Sequence, residues 1–151
     1  MHTRIAATLA ITATVLLAGG AFTELSAQEH AEREVIGGRP GRPFSEAVRV
    51  GDTYYFSGKI GANADTRAMS EGRTGAETRN VMEAFKEAFE RQGLTFENIA
   101  RATVYLADIA DYGEMNEVYG SYFPEAAPAR VTLAATLVVG ARVEISFVAV
   151  R

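Results

Sequence analysis

The sequence predicts an α+β domain in which one β-sheet carries two helices on one of its faces. Several short segments alternate apolar and polar residues, as half-buried strands do, and two longer segments repeat apolar residues at helical spacing. These segments follow one another in the order β-β-α-β-α-β-β, which predicts one sheet with both helices packed against the same face. With 151 residues, 48% of them hydrophobic, the chain suits one domain with its own core.

The first 27 residues predict a secretory signal peptide. A short basic start that includes Arg4 precedes an uncharged apolar run at residues 5–18, and Ala27 offers a small residue for cleavage. A membrane anchor or a buried helix is the alternative, but a run of about 14 residues falls short of the ~20 that span a bilayer. We therefore expect residues 1–27 to be removed and the mature protein to be secreted or periplasmic, without stable membrane association.

A polar arm and a hairpin open the mature chain. Residues 28–42 are rich in Gly and Arg, with a short strand expected near residues 34–36. The segments 47–50 and 53–57 are rich in β-branched and aromatic side chains. Gly51 and Asp52 lie between them and fit a two-residue turn. We expect these two strands to form an antiparallel hairpin.

The later elements follow from periodicity and from stop signals. Val81, Phe85 and Phe89 recur at helical spacing, and Gly93 supplies a C-terminal stop. Alternation returns after this helix, and a second, shorter helix separates it from two terminal strands. The predicted helices are residues 75–92 and 111–123, and the predicted strands are residues 99–106, 130–138 and 142–150.

One face of the predicted sheet has no helix to cover it, and its side chains are only weakly polar. Such broad surfaces usually mark assembly, so the sequence predicts a homo-oligomer. The residues assigned to this face are Tyr55, Thr103, Tyr105, Thr132, Ala134, Thr136 and Glu144.

Charge and cysteine content exclude several classes of protein. The net charge is -4 and no block of Lys or Arg occurs, which argues against a nucleic-acid partner. There is no cysteine, so neither a disulfide framework nor a lipid-modified N-terminal cysteine is present.

Arg130 is the strongest candidate for a functional residue. It stands at the head of a strand whose other side chains are apolar or small, and a half-buried guanidinium usually holds an anion because its planar fork matches a carboxylate. The alternative is a structural ion pair with a nearby Glu. Both interpretations stay open on this residue alone.

Four segments in this order resemble the RidA family, also called the YjgF group, of reactive-intermediate deaminases. They are Pro-Phe-Ser-Glu-Ala at 43–47, Phe-Ser-Gly-Lys-Ile-Gly at 56–61, Ala-Pro-Ala-Arg at 127–130 and Val-Glu-Ile-Ser-Phe-Val-Ala-Val at 143–150. The resemblance covers a RidA-like domain at residues 43–151. It implies a chorismate-mutase-like fold and a trimer whose sheets line an inner barrel, with three clefts between subunits. It also implies hydrolysis of enamines and imines such as 2-aminoacrylate, without a metal or cofactor.

The resemblance assigns roles to individual residues. Arg130 falls on the carboxylate-binding arginine and Glu144 on the cleft glutamate, while Ser57, with Gly58 beside it, and Asn116 fall on further substrate-binding positions. Each has a simpler explanation: Ser57 as a strand-end cap, Asn116 as a solvent-facing helix residue, and Glu144 as an ion-pair partner of Arg130.

Three positions depart from the usual family pattern. Phe44 replaces a tyrosine, so the aromatic wall of the cleft remains but its hydroxyl is lost. Ser146 replaces an acidic residue, and Thr132 replaces a cysteine that is often present at this substrate-binding position. The carboxylate anchor itself is unchanged.

The two proposed catalytic residues are expected to lie far apart within one chain. If the last two strands form a simple hairpin, Glu144 lies opposite Ala135, five residues from Arg130, which is roughly 16 Å along the strand. We therefore predict that Arg130 and Glu144 reach one pocket only from neighbouring subunits.

Three functional interpretations result. The first is an exported deaminase that hydrolyses small imino acids to keto acid and ammonia. The second is a non-catalytic protein that binds a small carboxylate on the same trimeric scaffold, which the missing phenol and the export signal favour. A ribonuclease or translation inhibitor is the third, and an acidic chain without a basic patch gives it little support.

Overall fold

The computed structural model describes residues 32–62 and 74–151. The predicted signal peptide at residues 1–27 lies outside these ranges. Among the residues described, no helix has the length and apolar character needed to cross a membrane.

A single mixed sheet with two helices forms the described part of the chain. The sheet order is β1-β2-β3-β7-β5-β6, and the short β4 pairs with β7 beside β3. The predicted α+β class and element order are confirmed, β1 corresponds to the short strand expected near residues 34–36, and β4 is an additional short strand. The strands are β1 Arg33–Ile36, β2 Ala47–Val50, β3 Thr53–Phe56, β4 Lys59–Ile60, β5 Ile99–Leu106, β6 Ala129–Ala134 and β7 Val143–Val150, and the helices are α1 Thr74–Arg91 and α2 Tyr112–Gly120.

The predicted hairpin of β2 and β3 is confirmed. Val50 pairs with Thr53 across the turn, and Gly51 has φ 59°, a left-handed conformation that costs glycine little. β3 then pairs antiparallel with β7 at the centre of the sheet. This arrangement carries the loop after β3, which contains Ser57 and Gly58, to the side of β7.

An aromatic cluster packs α1 onto the sheet. Phe85 and Phe89 of the helix are buried, and the ring of Phe85 lies 4.7 Å from that of Phe147 in β7. Phe89 contacts Phe56 of β3 with ring centroids 5.0 Å apart. Alternate residues of β7 therefore point towards the helices, and the residues between them, Glu144 included, point to the other face.

A hydrogen-bonded network fixes the start of α2. Thr74 Oγ1 donates to Asp111 Oδ2 at 2.7 Å, and Arg142 pairs with the same carboxylate. The hydrogen bond from Thr74, with the contribution of Arg142, holds the pKa of Asp111 below its ordinary value. Because Thr74, Asp111 and Arg142 belong to the starts of α1, α2 and β7, the network sets the position of α2 over β5 and β6.

The expected hairpin between the last two strands is wrong. β6 pairs in parallel with β5, and β5 lies between β6 and β7. The physical reason is that β5, α2 and β6 form a strand-helix-strand unit, whose two strands run parallel side by side. β6 also ends at Ala134 rather than at residue 138.

This pairing changes the faces of two residues that were predicted for the uncovered side. Thr132 lies beside Val104, and Ala134 beside Leu106; both partners are buried under the helices. Thr132 and Ala134 therefore share the helix-covered face. Thr136 lies beyond the end of β6.

The uncovered face of the sheet carries Tyr55, Thr103, Tyr105 and Glu144, as predicted, and it also exposes apolar side chains that the prediction did not name. Among the described residues it exposes six large hydrophobic side chains. The sheet of the single chain is open and does not close into a barrel. The six residues, which we call the open-face patch, are Val35, Val50, Tyr55, Val131, Leu133 and Val150.

Candidate active site

Arg130 lies on the helix-covered face of β6, held against α2. Its Nη2 atom donates to Asn116 Oδ1 at 2.6 Å and to Tyr112 Oη at 3.1 Å. The guanidinium also lies over two tyrosine rings, with Cζ 4.7 Å from the centroid of Tyr119 and 5.6 Å from that of Tyr112. No acidic side chain pairs with Arg130 among the described residues, so its charge is not used in an internal ion pair there.

Sequence reasoning found Asn116 but missed the two tyrosines as site residues. Asn116 is not a plain solvent-facing residue, because its side chain orients Arg130. The missed signal is the spacing: positions 112, 116 and 119 are four and three apart, which puts them on one face of a helix. An arginine at the head of the next strand is then within reach of all three side chains.

The Arg130 environment combines buried and accessible hydroxyls. Burial raises the pKa of the Tyr119 phenol to about 12, although the Arg130 charge opposes this. Hydrogen bonding to Asn116 and Arg130, with the Arg130 charge, lowers the pKa of the more exposed Tyr112. The buried Tyr119 Oη and Thr132 Oγ1 have no hydrogen-bond partner within the described structure. We call this region, made of Tyr112, Asn116, Tyr119, Arg130 and Thr132, the arginine half-site.

The other four predicted site residues meet at a separate cleft of about 1120 Å³. Phe44 forms an aromatic wall and is 59% exposed, with the Arg42 guanidinium 5.8 Å from its ring centroid. Ser57, Gly58 and Glu144 line the same cleft. We call this second region, made of Phe44, Ser57, Gly58 and Glu144, the glutamate half-site.

Close packing positions the Glu144 carboxylate. A Cβ atom at position 58 would collide with the carboxylate, so only glycine allows Glu144 to lie against this backbone. Ser57 Oγ donates to Ser45 O at 2.8 Å, which leaves the hydroxyl oxygen as an acceptor. The Ser57 backbone N–H donates to Glu46 O at 3.0 Å, so this amide is occupied within the protein.

An ion network that the sequence did not predict stabilises the cleft wall. Lys59 Nζ lies 3.0 Å and Arg91 Nη2 lies 2.6 Å from Glu46 Oε1. Burial alone raises the pKa of Glu46, but hydrogen bonds and charge from Lys59 and Arg91 outweigh burial and hold that pKa below its ordinary value. The network joins β4 and the end of α1 to the segment that carries Phe44.

The two half-sites do not meet within one chain. Arg130 lies beside Ala102 of β5, which lies beside Phe147 of β7, three residues from Glu144. The Cα atoms of Arg130 and Glu144 are therefore two strand spacings apart across the sheet and three residues apart along it, which is a distance of about 14 Å. Glu144 also points to the opposite face of the sheet from Arg130. An ion pair between them within one chain is excluded, for this reason rather than for the hairpin geometry that the sequence suggested.

The residues with described positions contain no cluster of side chains arranged to hold a metal ion. No cluster of three or more His, Asp or Glu side chains with a suitable arrangement occurs in residues 32–62 or 74–151. The functional groups present at the two half-sites are a guanidinium, a carboxylate, hydroxyls and an amide.

A comparison with known protein families shows which family contains this chain. The family model described as Endoribonuclease L-PSP matches residues 38–151, which include both half-sites. The chain belongs to this family, which contains the RidA, YjgF and RutC proteins. The resemblance carried by the four sequence segments is thereby confirmed.

Relatives and solved structures agree with this assignment. The chain is 40% identical to protein DfrA of Myxococcus xanthus over 72% of this chain and 85% of that protein. It is 36% identical to the 2-iminobutanoate/2-iminopropanoate deaminase of Mus musculus over 72% of this chain and 82% of that enzyme. A YjgF family structure from Neisseria meningitidis matches with TM-score 0.70 and 27% identity, covering 81% of this chain and 97% of that one. RidA from an Antarctic Psychrobacter matches with TM-score 0.69 and 29% identity over 82% and 100% of the two chains.

Proposed function

We propose that the protein is a hydrolase that converts small imino acids of the 2-aminoacrylate type into a keto acid and ammonia. Its active form is a homotrimer in which each cleft joins the arginine half-site of one subunit to the glutamate half-site of the next. The relatives named 2-iminobutanoate/2-iminopropanoate deaminase support the reaction class. The separation of the half-sites within one chain supports their assembly from two chains.

The single observation that carries this proposal is the unpaired charge of Arg130 in a preorganised setting. Two rings and two oxygen acceptors hold the guanidinium in place, and no carboxylate of the described structure neutralises it. Within the described residues, the hydrogen bonds of Arg130 to Asn116 and Tyr112 both use Nη2, so Nε–H and Nη1–H can each donate a single hydrogen bond to an anion. A site of this kind suits the carboxylate of a small metabolite.

Assembly is supported by the open-face patch. Six exposed apolar side chains on one side of a sheet are more than a monomer usually leaves in water. Packing three such faces together buries the patch, and the resemblance implies an inner barrel of this kind. The same packing brings the edge strand β6, which carries Arg130, towards the cleft of a neighbouring copy.

Hydrolysis of an imine requires an anchored substrate and a positioned water molecule. Arg130 holds the substrate carboxylate and draws electron density from the adjacent C=N carbon. 2-Aminoacrylate first becomes the imine by gaining a proton on its terminal carbon and losing one from nitrogen. Glu144 accepts a proton from water as the oxygen attacks the C=N carbon, and gives that proton to the nitrogen of the resulting carbinolamine. The C–N bond then breaks to release ammonia, and loss of the hydroxyl proton to Glu144 leaves the keto group. The Ser57 oxygen is free to accept a hydrogen bond from the protonated imine nitrogen. Phe44 excludes bulk water from one side of the cleft.

Export is a second part of the proposal and rests on the N-terminal sequence. The apolar run at residues 5–18, its basic start and Ala27 are typical of a cleavable signal peptide. Expression of the full chain in a Gram-negative host and mass measurement of the mature protein tests this. Cleavage near residue 27 with recovery from the periplasm is the expected result, and an intact chain in the cytoplasm refutes export.

The reaction is tested by releasing 2-aminoacrylate enzymatically and measuring ammonia and pyruvate in the presence of the protein. The wild type should accelerate release above the spontaneous rate, and Arg130→Ala should return it to that rate. Arg79→Ala, on the exposed side of α1, is a matched control and should retain full activity. If neither wild type nor Arg130→Ala accelerates release while the wild type binds pyruvate, the protein is a carboxylate-binding protein and not a hydrolase.

A further inference from the structure

Tyr112 lies beside the Arg130 guanidinium and is exposed to solvent. The residue opens α2 and is 42% exposed, so its hydroxyl is accessible from solvent. The hydroxyl oxygen lies 3.1 Å from Arg130 Nη2, and the ring lies 5.6 Å from Cζ. The phenol therefore stands at the edge of the guanidinium and not behind it, unlike the buried ring of Tyr119.

The donor and acceptor roles in the contact with Arg130 show that the Tyr112 hydroxyl can still donate a hydrogen bond. A guanidinium has donors and no acceptor, so in the contact with Tyr112 the arginine donates and the phenol oxygen accepts. The hydroxyl proton of Tyr112 is not used in that bond. Accepting a hydrogen bond from a cation polarises a hydroxyl and makes it a better donor. The lowered pKa of Tyr112, caused by Asn116 and then Arg130, has the same direction.

We propose that the Tyr112 hydroxyl donates a hydrogen bond to the substrate carboxylate that Arg130 holds. Tyr112 is then a further substrate-binding residue, and the acid group receives bonds from the free guanidinium hydrogens and from the phenol. Phe44, which has no hydroxyl, gives the opposite half-site no phenol of its own. The inference rests on the proposed function, since it assigns a role within the same site.

A purely structural role for Tyr112 makes a different prediction. If the ring only supports Arg130, phenylalanine at this position retains the stacking and changes little. If the hydroxyl binds the carboxylate, its removal weakens ligands that carry a carboxylate and leaves ligands without one unaffected. Pyruvate and pyruvamide form such a pair, because they differ only in the carboxylate and the amide.

The experiment measures binding of pyruvate and pyruvamide by calorimetry to three forms of the full chain: wild type, Tyr112→Phe and Tyr122→Phe. Tyr122 is the matched control because its hydroxyl donates to Glu83 at 2.6 Å, away from Arg130. Loss of a hydrogen bond to a charged group should weaken pyruvate about tenfold in Tyr112→Phe. Pyruvamide binding to Tyr112→Phe, and binding of both ligands to Tyr122→Phe, should stay within about twofold of wild type.

The outcomes separate this inference from the proposed reaction. Pyruvate affinity that is unchanged in Tyr112→Phe, or equal weakening of both ligands, overturns the role of the hydroxyl even if the protein hydrolyses imines. Selective weakening of pyruvate supports the role even if no ammonia is released in the turnover assay. Absence of pyruvate binding by the wild type overturns the inference and the carboxylate anchor together. Thermal melting of each variant checks that the fold is retained.

Discussion

Mixing two inactive variants should restore activity if each cleft takes Arg130 from one subunit and Glu144 from the next. Arg130→Ala removes the carboxylate anchor, and Glu144→Gln removes the base while keeping its shape. The structure puts the two residues about 14 Å apart within one chain and on opposite faces of the sheet. Each variant alone therefore spoils every cleft, but a hybrid trimer contains clefts with both native residues.

The expected recovery follows from counting. In a head-to-tail ring formed from equal amounts of the two variants, about one quarter of the clefts receive native Arg130 from one neighbour and native Glu144 from the other. The mixture should therefore release ammonia at about 25% of the wild-type rate per chain after unfolding and joint refolding. The same variants refolded separately and then combined give the baseline.

A second mixture gives a different activity for each model once native mass spectrometry shows that hybrid trimers have formed at the statistical level. Wild type combined in equal amounts with the Arg130→Ala, Glu144→Gln double variant should retain about one quarter of wild-type activity for a shared cleft, but about one half if each subunit carries a complete site. Native mass spectrometry reports the fraction of hybrid trimers. No recovery in the first mixture together with one half in the second would refute the shared cleft.

Three further outcomes are expected. Gly58→Ala should lower kcat/KM about 100-fold, because the added methyl group displaces the Glu144 carboxylate, whereas Gly120→Ala, with open space around the added atom, should not. The two cations around Glu46 hold its pKa below 4.5. The stability that Glu46 contributes is therefore present above about pH 4.5 and is lost as the pH falls through its folded-state pKa. Glu46→Gln should flatten the acid limb of a plot of melting temperature against pH. Val139 has φ 49° and is 74% exposed, so Val139→Asn should relieve about 1 kcal/mol of strain and raise Tm by about 3 °C.

For each of these three predictions, one experimental result would contradict the reasoning. Full activity in Gly58→Ala would mean that the Glu144 position is not needed for turnover. An unchanged acid limb in Glu46→Gln would place the acid sensitivity at another carboxylate, such as Asp111, whose pKa is also lowered. A lower Tm in Val139→Asn would show that the valine makes a contact in the assembled protein that outweighs the strain.

Local patterns account for most of the fold. The bounds of β2, β5 and α1 follow the alternation and the helical repeat within about two residues, because these patterns report which side of an element is buried. The Ala-Pro-Ala-Arg and Val-Glu-Ile segments were sufficient to select Arg130 and Glu144. The helix-covered face of Thr132 and Ala134 could not be read in this way, because the large apolar side chains of β6, Val131 and Leu133, lie on the open face.

The sequence by itself determined the order of the elements, the family and the candidate site residues, because periodicity and short motifs are properties of neighbouring residues. Only the tertiary structure decided that β5 separates β6 from β7, that two tyrosines hold Arg130, and that Arg130 and Glu144 lie on opposite faces. Which strand a segment pairs with depends on packing between residues far apart in the chain. The separation of Arg130 from Glu144 within one chain is a consequence of that pairing.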